Sequence, residues 1–247
     1  MEPHHELWLT ALFNDHLAGV ANSILHLFGR HVHNPERPWA NFMVMQILVA
    51  VMLMALFAIL RPRLSMDRPG TLQHVMEVIY GFLKDQAEEQ VGHHGHKYVH
   101  YFGTLFLFIL FSNLLGVIPT FESPTMFTYV PLGCALATFL YYNGAGMAAQ
   151  GVGKYLGHFA GPMLPLAPLM LPIEIISNCA RPLSLTVRLY ANMLAGEKVT
   201  IVFLGLTYMV VPALFMGLHV FVSFLQAYVF TLLTMVYVSG AVAHEEH

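Results

Sequence analysis

Between residues 7 and 29 the apolar positions Leu9, Leu12, Phe13, Leu17, Val20, Ile24 and Phe28 recur at helical spacing. Asn14, Asp15 and His16 interrupt the run, so the pattern predicts an amphipathic helix at an interface, not a span. Asn41 to Leu60 differs, with Gln46 as its only interior polar group. At about 1.5 Å per residue it matches a hydrocarbon core of about 30 Å, and it stops at Arg61, Pro62 and Arg63. Over 71–91, Leu72, Val75, Met76, Ile79, Phe82 and Leu83 form one face, with Glu77, Lys84, Asp85, Glu88 and Glu89 around the rest. That pattern predicts a second surface helix.

Beyond the polar loop His93–Lys97, Tyr101 to Ile118 reads as a span ending at Pro119, and Met126 to about Met147 returns. Residues 101–147 thus form a two-span hairpin, followed by a loop marked by Lys154. Residues 163–242 read as two long antiparallel helices, broken only near Gly205 to Pro212. If helical throughout, 163–206 would extend about 65 Å, roughly twice the hydrocarbon thickness. Strong tilt, a portion outside the membrane, or a break near Pro172 or Pro182 would each reconcile that length.

The expected fold is an all-α integral membrane protein, a single membrane domain over 1–247. It has five membrane-crossing helices plus surface amphipathic helices, and the last two spans form a long tilted hairpin. Arg61, Arg63, Arg68, Lys84, Lys97 and Lys154 then fall on the cytoplasmic side, and only Arg30 and Arg37 on the other. This bias places the 1–40 segment outside and the C-terminus in the cytoplasm.

Composition narrows the function classes. The chain is 57% hydrophobic and 10% charged, with mean hydropathy +0.61, against about 25% charged in a soluble domain. A net charge of -3 gives no basis for a nucleic-acid partner. Cys134 and Cys179 lie in apolar stretches and read as buried small hydrophobes. Glu2, His4, His5 and Glu6 are unlike the basic start of a secretory signal. His93, His94, His96 and His100 lack a Cys or Asp framework, so a solvated loop is expected there and no metal site. Histidines 4, 5, 31 and 33 read as surface groups, and Gly144, Gly146 and Gly151 as permitting close packing. There is no P-loop, no HExxH and no GxSxG. No cofactor or catalytic centre is therefore expected, and any nucleotide chemistry belongs to other chains. A secondary transporter would suit intramembrane charges, but no repeat relates the two halves.

Arg181, Arg188 and Lys198 fall inside the last hairpin, where basic residues are least expected. Glu174, Asn178, Arg181, Ser184, Arg188 and Asn192 follow at steps of three or four, along one stripe of the helix. His219, Ser223, Gln226, Thr234 and Tyr237 make a matching stripe on the last helix. Lipid offers such stripes no hydrogen-bond partner, so both should face protein or water. With the turn centred near residue 208, Glu197 and His219 sit at equal depth, a pair suited to a proton relay, and Arg188 lies near the depth of Gln226. Glu197 is about 180° from the Arg188 stripe.

Arg188 cannot shed its charge, and placing it near a bilayer centre costs at least about 2.5–3.5 kcal/mol. The nearest acid on its stripe, Glu174, lies roughly 21 Å away along the axis. The compensating anion is therefore expected on a partner. A structural reading stands beside each functional one: carbonyl capping for Arg188 and a buried hydrogen bond for Glu197 with His219. Glu174 reads equally as a helix-end carboxylate, and Ser184 and Ser223 as bonded to their own helix.

The segment Arg181-Pro-Leu-Ser-Leu-Thr-Val-Arg188-Leu-Tyr-Ala-Asn192-Met-Leu-Ala-Gly-Glu197 strongly resembles the signature of the subunit a family of the F-type ATP synthase. Asn113-Leu-Leu-Gly-Val-Ile-Pro119 and Leu225-Gln226-Ala-Tyr-Val-Phe, followed by Leu-Thr-Met-Val-Tyr237, match too, and the resemblance covers about 40–247. It implies a proton-translocating stator with two half-channels, in a bacterial inner membrane. The implied partners are a c-subunit ring, the b-subunit peripheral stalk and the rest of the complex. Arg188 corresponds to the arginine facing the ring carboxylate, with Asn192 and Gln226 as its polar neighbours. Glu197 and His219 match the outer half-channel pair, and Glu174 an acidic position towards the cytoplasmic one. Some relatives carry acids around the Asn113–Pro119 turn, where this chain has Gly116 and only Glu122 nearby.

Overall fold

Side-chain chemistry divides the helices into those that bury a single face and those gripped on several sides. The computed structural model describes residues 7–27, 37–65, 69–92, 95–118, 121–158, 167–206 and 210–242. Among these, eight α-helices are formed: α1 Trp8–Leu27, α2 Asn41–Leu60, α3 Thr71–Val91, α4 Val99–Leu115, α5 Tyr129–Gln150, α6 Val152–His158, α7 Ala167–Leu206 and α8 Val210–Val242. The polar stretch ahead of α4 is partly a 3-10 turn, Gly95–Lys97, and another, Pro124–Met126, precedes α5.

α2 has the bounds its hydropathy predicts, and it ends where Arg61, Pro62 and Arg63 form a short 3-10 turn. Val44, Met45, Val49 and Leu53 are buried, while Val51, Met54 and Phe57 are exposed, so its apolarity exceeds what the fold covers. That excess belongs to a helix solvated by lipid. α2 and α8 are the two described helices long and apolar enough to cross a membrane by themselves, and α4 is apolar but shorter. α5 and α7 are interrupted by polar groups.

α8 is the hub, packing against α3, α4, α5 and α7, while α5 also packs against α7. Ala227, Phe230, Met235 and Val238 of α8 meet Phe102, Phe106 and Ile109 of α4 and Leu185, Leu189 and Met193 of α7 in one buried core. α3 joins it through Leu83 and Ala87, and Tyr228 of α8 donates to Gln86 Oε1 at 3.1 Å. α1 is tied to the chain before α2: Trp39 N donates to Asn14 Oδ1 at 2.9 Å and Trp39 Nε1 to the Leu17 carbonyl at 3.0 Å.

α7 runs unbroken through Pro172 and Pro182 for 40 residues, so the length problem is not solved by a break. Proline removes the amide donor to the carbonyl four residues earlier, but a helix can continue through it when neighbouring helices support the turn, as α5 and α8 do here. α7 ends at Leu206 and α8 begins at Val210; the turn expected near residue 208 lies outside the described residues.

Several sequence readings need correction. α4 starts and ends slightly earlier than expected, and α5 starts and ends slightly later. The Lys154 loop contains α6, a short helix with no periodicity long enough to recognise. Cys179 is exposed, not buried, because it falls on the outward face of α7; Cys134 is half-buried. Of the glycines read as packing sites, only Gly146 is one: a Cβ there would come within 2.5 Å of the Tyr155 ring and 2.9 Å of the Ala241 carbonyl. Gly144 has open space around it, and Gly151 serves through its φ of 82°. Histidines 4, 5, 31, 33, 93 and 94 lie outside the described residues; His96 and His100 are exposed.

Candidate functional site

Helical spacing gives α7 two faces of different chemistry. Leu185, Leu189 and Met193 point into the core. Ser184, Val187, Arg188, Ala191 and Ala195 are exposed on the other side. On α8, Leu214, Leu218, Phe221 and Leu225 are exposed at similar spacing. Arg188 therefore stands on an outward face of small and apolar residues. Among the described residues no hydrogen bond or ion pair is recorded for it. Arg181, two turns away, is half-buried and lies over the rings of Tyr142 and Tyr237, 5.9 and 5.4 Å from their centroids. Those aromatic faces offset part of its charge. Among the described residues Arg188 has no such cradle.

Asn192, one turn from Arg188, donates through Nδ2 to Gln226 Oε1 at 3.3 Å, joining α7 to α8. Nearer the turn, the buried His219 ring sits against Gly196, where a Cβ would approach Cε1 and Nδ1 to 3.3 Å. Glycine at 196 thus makes room for the imidazole against α7, one residue before Glu197. No direct hydrogen bond between Glu197 and His219 is recorded among the described residues. Instead Glu197 Oε2, His219 Nε2, Ser223 Oγ and Gln226 Nε2 are all buried without a partner among the described residues. Each such atom costs about 1–3 kcal/mol if left unsolvated, so a run of four marks a place built for water. Ser223 is not satisfied by its own helix, whereas Thr231 and Thr234 donate to carbonyls four residues back at 2.9 Å.

A second polar thread reaches the same part of α8 from the α4–α5 loop. Gly116 lets the loop close over the end of α4, since a Cβ there would meet Ser123 Cβ at 2.6 Å. Ser123 Oγ is 3.0 Å from the Ser112 carbonyl and 2.7 Å from Thr125 Oγ1, which donates to Asn113 Oδ1 at 2.6 Å. Asn113 Nδ2 then donates to the Ser223 carbonyl at 3.3 Å. Of these, the sequence reading singled out Asn113, Gly116 and Ser223 and missed Ser112, Ser123 and Thr125, because a hydroxyl carries no signal of its depth.

The far end of α7 holds a third cluster, which the sequence reading also missed apart from Asn178 and Glu174. Tyr142 donates to Asn178 Oδ1, and Asn178 Nδ2 donates to Asn143 Oδ1 at 3.3 Å. Tyr155 of α6 donates to the same oxygen at 2.8 Å. Burial raises the Tyr155 hydroxyl above its usual range, opposed by Arg181 and assisted by Glu174, so it remains protonated as a donor. Glu174 is half-buried and Ser184 exposed. Among the described residues no three His, Cys, Asp or Glu side chains are placed to hold a metal.

Comparison with known proteins bears on this arrangement. A family model described as ATP synthase A chain matches residues 43–239. ATP synthase subunit a of Solibacter usitatus (strain Ellin6076) is 66% identical over 95% of this chain and 100% of its own length. The subunit a of Koribacter versatilis (strain Ellin345) is 47% identical over 97% of this chain and 98% of its own. That of Nitratidesulfovibrio vulgaris (strain DP4) is 40% identical over 98% and 97%.

Proposed function

The chain belongs to the ATP synthase A chain family, as a non-catalytic, proton-conducting stator subunit of the Fo membrane sector, and from that premise we propose that Arg188 separates two proton half-channels and faces a carboxylate on a c-subunit ring. The observation that carries this reading is the guanidinium on the outward face of α7, unpartnered among the described residues. A permanent cation in a membrane helix persists when an anion or water offsets its charge. The surrounding stripe of Ser184, Ala191 and Ala195 lets a neighbouring helix approach closely. Asn192 and Gln226 brace the helix pair beside Arg188, while Ser184 lines the ring face. Glu197, His219 and Ser223 line the outer half-channel; Glu174 lies towards the inner one. The b-subunit stalk and the remaining subunits complete the complex.

α2, α4, α5, α7 and α8 are the five crossings, with α1 and α3 on opposite membrane surfaces. At about 1.5 Å per residue α7 is about 60 Å long, so it crosses a core of about 30 Å steeply tilted along the ring. The N-terminus is outside and the C-terminus cytoplasmic, in a bacterial inner membrane.

Cross-linking tests the ring face. In a chain with Cys134 and Cys179 replaced by serine, Ser184→Cys, Ala191→Cys and Ala195→Cys should each form a disulfide with cysteines on the ring's carboxylate-bearing helix. Met193→Cys should not, because Met193 is buried. Cross-linking from Met193 alone would assign the ring to another face. Topology has its own check: Leu64→Cys should react with an impermeant thiol reagent only from the cytoplasmic side, and Thr128→Cys only from the outside. The reverse pattern would invert the assignment.

A further inference from the structure

We propose that Tyr142 and Tyr237 form an aromatic clamp that holds the Arg181 guanidinium off the outward face of α7, so that a ring carboxylate meets one arginine, Arg188, and not two. The inference rests on the reading that Arg188 faces a ring carboxylate, and it adds positioning residues to that reading. Arg181 precedes Arg188 by two turns, about 10 Å along the axis, so the two project from nearly the same side of α7. Ala180, Leu183 and Ser184 beside Arg181 are exposed, as are Val187 and Arg188. The Arg181 guanidinium is nevertheless turned onto the rings of Tyr142 and Tyr237, 5.9 and 5.4 Å from their centroids, and the residue is half-buried.

Three helices fix the clamp. Tyr142 of α5 is fully buried, and its hydroxyl donates to Asn178 Oδ1 on α7, one turn before Arg181. The helix that carries Arg181 thus holds one of the rings that cover it. Phe139 meets the Tyr142 ring edge-on with centroids 5.6 Å apart, and the Tyr237 ring of α8 lies 5.8 Å from it. Asn178 is held in turn by Asn143, whose Oδ1 also accepts from Tyr155. No ion pair is recorded for Arg181 among the described residues, so the two π faces offset its charge in place of a carboxylate. A guanidinium stays charged at any working pH and grips carboxylates through its planar fork. Released, Arg181 would offer the ring carboxylate a second fork on the inner side of Arg188, a stop where the ring must move on. Packing alone would explain a buried Tyr142. It would not explain why tyrosines from two helices converge on the cation two turns from Arg188, while Arg188 meets no ring among the described residues.

Suppression by a second substitution tests this in the assembled complex. Tyr237→Leu, Tyr237→Met, Tyr237→Phe and Arg181→Gln are made singly, and the first two are also combined with Arg181→Gln. Two replacements of different shape guard against one that does not assemble. Gradient-driven ATP synthesis in vesicles is normalised to complex that co-purifies with the ring, and Arg188→Ala is measured alongside. Tyr237→Leu and Tyr237→Met should each lose about fivefold or more of the rate, whereas Tyr237→Phe, which keeps the π face, should lose little. Arg181→Gln should keep at least about half of the wild-type rate and should bring either Tyr237 variant back to that level. Double variants no faster than Tyr237→Leu or Tyr237→Met alone would show that Tyr237 acts by packing, and would overturn the clamp. So would full activity in both of those single variants, or a loss as deep as theirs in Tyr237→Phe or in Arg181→Gln. Near-normal synthesis by Arg188→Ala would instead remove the ring-facing reading. Loss in Arg188→Ala without suppression in the double variants would overturn the clamp alone.

Discussion

Replacing Glu197 by Gln or His219 by Leu is expected to slow gradient-driven ATP synthesis by about 10- to 100-fold without preventing assembly, and the double variant is expected to be no slower than the worse single one. The reason is shared position. His219 packs against Gly196, the residue before Glu197 on α7, and Glu197 Oε2 and His219 Nε2 each lack a partner among the described residues. If both titratable groups line the outer half-channel as proposed, they serve one step, so removing the second adds little once the first is gone. His219→Leu keeps the volume, so lost packing is a small part of the effect. The check is a double-mutant cycle on synthesis rates per assembled complex. Multiplying losses would show two independent roles.

Arg188 should give the largest loss. At about 4 Å and an effective dielectric constant near 20, a guanidinium and a carboxylate attract by about 4 kcal/mol. An opposite charge at that range lowers a carboxylate pKa by about one to three units. If Arg188 faces a ring carboxylate as proposed, that suffices to strip its proton on arrival, yet the ion pair can part when the ring steps on. The same cation repels a proton moving straight from one half-channel to the other. Arg188→Ala removes both effects, and synthesis should fall by at least about 100-fold. Arg188→Lys should also be severely impaired, since a compact ammonium lacks the planar fork and can deprotonate when desolvated. ATP formation by vesicles under an imposed pH gradient measures both variants. The Asn192–Gln226 bond and the Leu185–Leu189–Met193 packing do not involve the guanidinium, so assembly should survive.

The elements most legible in the sequence were those set by a single physical effect. α2 is continuous apolar residues closed by Arg61-Pro62-Arg63, and α3 is a clean amphipathic period; both have the expected bounds. The stripes on α7 and α8 were visible because helical spacing is regular over many turns. What the spacing could not supply was depth and tertiary partner. Arg181 and Arg188 belong to one stripe, yet only Arg181 meets aromatic rings, because Tyr142 and Tyr237 come from α5 and α8. The hydroxyls of Ser123 and Thr125 gain their meaning from Asn113, brought to them by the chain reversal at Gly116. α6 was invisible because seven residues hold too few turns to show a period. The prolines of α7 were ambiguous for a physical reason: proline breaks an isolated helix, but a helix held by α5 and α8 can pass through it.

The central claim, that a fixed positive charge at residue 188 both deprotonates the ring carboxylate and blocks direct proton passage, has one most direct measurement. Vesicles carrying assembled Arg188→Ala complex are given a proton gradient, and ATP synthesis and passive proton leak are recorded together. Loss of synthesis with a leak above that of wild-type vesicles is the predicted result, since protons would then cross without turning the ring. Near-normal coupled synthesis with no added leak would contradict it.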